Sequence, residues 1–128
     1  MDRKALKKHA CATIDDMSDA LISDSHAIHA KPELAFEEHF AHRLLTDRVE
    51  EAGLPVERGA YGLDTAFISS FGDTGVEVCI LSEYDALPGI GHACGHNIIA
   101  TAGLGAALAL SKLGATQPGR VRYLGTPA

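Results

Sequence analysis

The chain has 128 residues, a single-domain length, and its 46% hydrophobic and 22% charged content excludes the disordered and fibrous classes. Seventeen acidic against eleven basic residues give a net charge of −6. The one basic cluster, Arg3, Lys4, Lys7 and Lys8, is too small for a nucleic-acid footprint, so no nucleic-acid partner is expected. Cys11, Cys79 and Cys94 are odd in number and widely spaced, and Ile14-Asp15-Asp16 interrupts the place where a secretory apolar run would lie. The expectation is a reduced, cytoplasmic protein with Cys11 and Cys79 buried as small apolar residues.

Leu6, Ala10, Ile14, Met17, Leu21 and Ile28 recur at helical spacing, which predicts one amphipathic helix from Arg3 to about Ile28, ended by Pro32. A second helix is expected from Leu34–Phe36 to Gly53, with Phe36, Phe40, Leu44, Leu45 and Val49 inward. The period then changes. Pro55 to Arg58 and Thr65 to Phe71 read as short extended segments, and the Gly72-Asp73-Thr74-Gly75 turn predicts a hairpin between Thr65–Ser70 and Val76–Ser82. Val76 to Leu81 carries a single charge, Glu77, as in a strand covered on both faces. Residues 98–110 are apolar but for Thr101 and two glycines, too short for the roughly 20 residues of a membrane span, so no membrane partner is expected and the run reads as a buried helix. That helix should extend from about Asn97 to Leu113 and be closed by Gly114 and Pro118-Gly119, with a strand from Arg120 to Gly125 following. Strand, loop, helix and strand form a βαβ unit with parallel strands.

The unusual chemistry lies between Ser82 and Asn97. Glu83 and Asp85 sit at the C-terminal end of the expected strand, where open α/β sheets bind ligands. Cys94 and His96 suit a borderline metal ion, and Ala93 and Gly95 let a tight loop bring thiolate and imidazole together. Two ligands do not hold a metal; the others would come from Asp85, Glu83, His92 or residues outside this chain. The rival reading makes Cys94 a nucleophile with His96 as its base, although two residues within one loop more readily share an ion. His26 with His29 and His39 with His42 are i,i+3 pairs read as solvated surface, and Gly89-x-Gly91 lacks the Lys-Ser/Thr of a phosphate loop.

Glu83-Tyr84-Asp85-Ala86-Leu87-Pro88 and Gly91-His92-Ala93-Cys94-Gly95-His96-Asn97 resemble the metal-dependent amidohydrolase and aminoacylase group of metallopeptidase family 20. The stretch from Ile28 to Glu38 resembles that family's N-terminal signature, and Tyr123 to Ala128 the strand before its catalytic acids. Tyr84 and Asn97 bring the chain nearest to the dipeptidases of the Xaa-Arg or β-alanyl-lysine type. The resemblance implies an α/β fold: the N-terminal part of a zinc-peptidase-like catalytic domain, with a mixed, mainly parallel sheet flanked by helices. It implies two divalent ions, zinc or manganese, with Cys94 and His96 as metal ligands, Asp85 as the supporting carboxylate of the catalytic centre, and His92 fixing the loop. The expected substrate is a dipeptide or N-acyl amino acid, and the full-length protein is expected to form a homodimer. In the family a Glu pair, later histidines and a lid domain follow the point where this chain ends at Ala128, so the 128-residue chain alone is expected to be inactive. The alternative is a degenerate fragment that keeps the βαβ unit to bind or dimerise.

Overall fold

A computed structural model describes residues 2–114 and 119–128. Helices α1 (Arg3–Asp16), α2 (Ser18–Ala30) and α3 (His39–Glu51) precede strand β1 (Glu57–Arg58), a single 3₁₀ turn and strand β2 (Phe67–Phe71); β3 (Glu77–Glu83), α4 (His96–Ser111) and β4 (Arg120–Thr126) follow. Asp2 caps α1 by accepting from the Ala5 amide, so this helix has the N-terminal partner its sequence offers. The single long helix expected from Arg3 to Ile28 breaks at Met17, which ends α1 and begins α2. Thr13 is buried, whereas Ile14 is 37% exposed, so the inward stripe shifts by one residue before the break. Pro32 acts as expected, with α2 ending at Ala30.

Helix α3 starts later than its apolar spacing suggests. Phe36 adopts φ +66° and is 56% exposed, not inward. The Glu33 carboxylate instead accepts from the amides of Phe40 and Ala41 at 2.9 and 3.0 Å, capping the first turn from outside the helix. At the other end Gly53 takes φ +78°, the left-handed conformation expected just past a helix.

The sheet is mixed, with order β1-β2-β4-β3. The β3–α4–β4 unit is present with parallel strands, Ile80 opposite Tyr123 and Ser82 opposite Gly125. The expected hairpin is not: β4 lies between β2 and β3 and pairs antiparallel with β2, Phe67 opposite Gly125. The glycine turn at 72–75 therefore carries the chain past an intervening strand. Of the three pairings one is parallel and two are antiparallel. Pro118, expected to help close α4, lies outside the described residues.

The core sits between one sheet face and the helices: Ile28, Leu45, Val49, Phe67, Tyr84, Leu104 and Tyr123 are fully buried. Phe67 meets Tyr123 edge-on at 5.2 Å and stacks with Tyr84 at 6.3 Å. Gly103 lets α4 lie against β3, since a Cβ there would stand 2.3 Å from Ser82 Oγ. Ser82 donates to the Ala100 carbonyl at 2.9 Å, locking that approach. On the opposite face Ile68, Leu124 and Leu81 stand in one row across three strands, and Leu81 is 52% exposed. Strand β3 is thus the sheet's outer strand with an open face, not a strand covered on both sides. Cys11 and Cys79 are exposed, against the expectation of burial; Cys79 follows the same alternation as Leu81. Among the described residues no helix is long and apolar enough to cross a membrane.

Candidate metal centre

Strand β3 delivers Glu83 to its C-terminal end, and the next two residues diverge by the strand's own alternation. Tyr84 is buried, with its hydroxyl donating to the Thr65 carbonyl, while Asp85 stays partly open. Burial raises the Tyr84 phenol above its ordinary range, so it serves as a neutral donor. The loop that follows is tied back on itself by the Leu87 amide to the Gly91 carbonyl at 2.9 Å. It is also tied to the segment after α2, through the Ala86 amide to the Glu33 carbonyl at 2.7 Å. Gly95, at φ +80°, turns the chain into α4, whose first residue is His96.

His96 is the centre of the arrangement. Its Nδ1 lies 2.7 Å from Asp85 Oδ1 and 3.0 Å from the Asp85 carbonyl oxygen. A carboxylate and a carbonyl only accept, so Nδ1 carries the proton and donates. Nε2 then faces Glu83 Oε2 at 3.1 Å. The imidazole is 19% exposed, the Asp85 side chain 14% and the Glu83 side chain 47%, so the group opens to solvent on the Glu83 side. This is the support a metal-bound imidazole needs: a carboxylate on one ring nitrogen fixes the tautomer and orients the other toward the ion. The donor chemistry of Asp85, His96 and the exposed Cys94 thiol fits a borderline divalent ion in kind. It does not suffice in number, because among the described residues no three His, Cys, Asp or Glu side chains converge to hold one.

His92, expected to fix the loop, is 7% exposed, and neither of its ring nitrogens has a hydrogen-bond partner. Its ring lies 6.3 Å from that of His29. Burial, with the His29 and His96 rings nearby, holds its pKa below the usual histidine value, so it packs in the neutral form. Asn97 does not face this group; it is buried and donates to Ser25 Oγ at 3.0 Å, joining α4 to α2. Of the surface histidines, His26, His29 and His39 are exposed as expected. His42 is not: it is buried, its Nε2 3.1 Å from the Ala66 carbonyl.

Two carboxylates to which the motifs assign no role anchor the surroundings. Glu33 holds both α3 and the loop. Glu38 is fully buried, accepting from Thr65 Oγ1 at 3.1 Å and from the Ala128 amide at 3.2 Å, and so ties the end of β4 to the start of α3. Their signal is present in the segment from Ile28 to Glu38, where charges interrupt a helical pattern that never becomes helix.

Comparison with known proteins bears out the family resemblance. No protein-family profile matches the chain. It is 45% identical over 96% of its length to a mouse Xaa-Arg dipeptidase. It is also 36% identical over 75% of its length to a p-aminobenzoyl-glutamate hydrolase of Escherichia coli. It spans about a third or less of those relatives, 32% and 24% respectively. Among solved structures it superposes on a Bacillus subtilis dinuclear metal-binding peptidase of family 20 with a TM-score of 0.81 and 26% identity, covering 89% of this chain and 36% of that one.

Proposed function

We infer that this relative of the family-20 amidohydrolases and dipeptidases is the N-terminal part of a metal-dependent hydrolase catalytic domain, acting in full length on an amide or peptide bond of a dipeptide or N-acyl amino acid. The observation that carries the reading is His96 held at Nδ1 by Asp85, with Nε2 left facing the strand-end opening. Cys94 and His96 are the ligands this chain contributes, and Asp85 positions His96. A bound pair of divalent ions, zinc or manganese, would polarise the scissile carbonyl and lower the pKa of the attacking water. The chain's own residues do the holding. Asp85 keeps the imidazole in one tautomer, Gly95 sets the loop-to-helix turn that presents Cys94 and His96 together, and buried His92 with the Glu33 tether keeps the loop in place. The remaining ligands and the general base belong to the part of the longer relatives that this chain does not span. A cytoplasmic, dimeric enzyme is consistent with this reading.

The test is kinetic, on the full-length protein with a panel of dipeptides and N-acyl amino acids, with and without chelator. Chelator-sensitive hydrolysis is expected, abolished by Cys94→Ala or His96→Ala and nearly unchanged by His26→Ala or His39→Ala. No hydrolysis by a zinc- or manganese-loaded protein would favour a binding or dimerisation module. Turnover retained by Cys94→Ala at unchanged metal content would remove the ligand assignment.

A further inference from the structure

We propose that Glu83 is a further metal ligand, sharing one ion with His96; the proposal rests on the metallohydrolase reading. The far side of the ring sets the protonation state. Nδ1 faces the carboxylate and the carbonyl of Asp85, both acceptors, and so it is the protonated nitrogen. A neutral imidazole then presents a bare lone pair at Nε2, and 3.1 Å away stands Glu83 Oε2, a second acceptor. Two lone pairs facing each other at that distance repel unless a cation lies between or beside them. The separation also suits a shared ion: ligands at about 2.0–2.1 Å from a tetrahedral zinc stand roughly 3.3 Å apart.

Glu83 meets the other requirements of a ligand. It follows the last buried residue of β3, Ser82, so its backbone is fixed by pairing with Thr126. Its side chain is 47% exposed and makes no other ion pair among the described residues, which leaves the second carboxylate oxygen free. The acid at the opposite end of the same strand, Glu77, differs in this respect: it pairs with Arg122 at 3.4 Å and lies far from the ring.

The experiment is a Zn²⁺ titration of this chain, followed through the ring-nitrogen NMR shifts of His96, for the wild type, Glu83→Gln and Glu77→Gln. Folding is checked by circular dichroism; Glu83→Gln keeps side-chain volume at a half-exposed position. The expected result is zinc-dependent movement of the Nε2 resonance in the wild type, an affinity at least about tenfold weaker in Glu83→Gln, and wild-type behaviour in Glu77→Gln. Equal affinity in Glu83→Gln and the wild type would show that a proton alone fills the gap between Glu83 and His96, overturning the ligand assignment while leaving the metallohydrolase reading standing. Equal weakening by Glu77→Gln would reduce the effect to general charge and also overturn it. A wild type whose His96 resonances ignore zinc would overturn both.

Discussion

Two carboxylate-centred nodes lie within the same fold, and they are finished to different degrees. Around Glu38 everything is closed: the side chain is fully buried, and Thr65 and the Ala128 amide each donate to it. Around His96, Asp85 completes one side, while Glu83 remains 47% exposed and faces a nitrogen that it cannot satisfy as an acceptor. The first node spends its hydrogen bonds on joining segments distant in sequence. The second keeps part of its bonding capacity for something outside the chain. The difference separates structural from functional carboxylates here better than burial or motif alone, because Asp85 and Glu33 are both partly buried and do different things.

The largest expected effect falls on the closed node. Glu38→Ala leaves the Thr65 hydroxyl and the Ala128 amide without their partner and opens a small void, and should lower stability by about 2–4 kcal/mol in urea denaturation. A loss below about 1 kcal/mol would mean that water replaces the carboxylate and that the node is not closed. Next comes Asp85→Asn, which should weaken zinc binding at His96 by about 10- to 100-fold. It should cost stability no more than about 1.5 kcal/mol. The reverse order, a large stability loss with zinc binding unchanged, would break the contrast between the nodes.

The smallest expected effect is a pH slope. Burial holds the folded-state pKa of His42 below the ordinary value of 6.5. The unfolded chain therefore takes up a proton first as the pH falls. The stability due to neutral His42 is complete above about pH 6.5 and is lost as the pH drops toward the folded-state pKa. Urea midpoints measured across that window should fall with pH in the wild type and fall less steeply in His42→Asn; buried His92, shifted the same way, keeps the variant's slope from vanishing.

What is legible in the sequence follows from which interactions are local. The βαβ unit, the helix stop at Pro32, the Gly53 cap and the strand-end placement of Glu83 and Asp85 depend on neighbours within a few residues, and all are readable. The pairing partner of β2 is not. Gly72-Asp73-Thr74-Gly75 has the composition of a hairpin turn, but β4, about 50 residues on, competes for the same edge and wins it in full register from Phe67 to Phe71. The depth of residues on β3 escapes the sequence for a related reason: a run of apolar residues reports that a strand is apolar, not which of its faces is covered. His42 and Phe36 exchange their expected places because the left-handed turn at Phe36 delays α3 and rotates its inward face. At the candidate site the residue types and their edge of the sheet are legible, whereas the tautomer of His96 requires the three-dimensional position of the Asp85 carbonyl.

The outer edge of β3 has a practical consequence for anyone handling this chain. Among the described residues its far side pairs with no strand, and Val76 and Val78 along it are 78% and 53% exposed. It has neither the lysine nor the proline with which natural edges discourage a neighbouring chain from adding itself. The isolated chain should accordingly be limited by colloidal behaviour before it is limited by unfolding: self-association would rise with protein concentration at temperatures where the fold is intact, and storage in dilute solution would preserve it better than cooling.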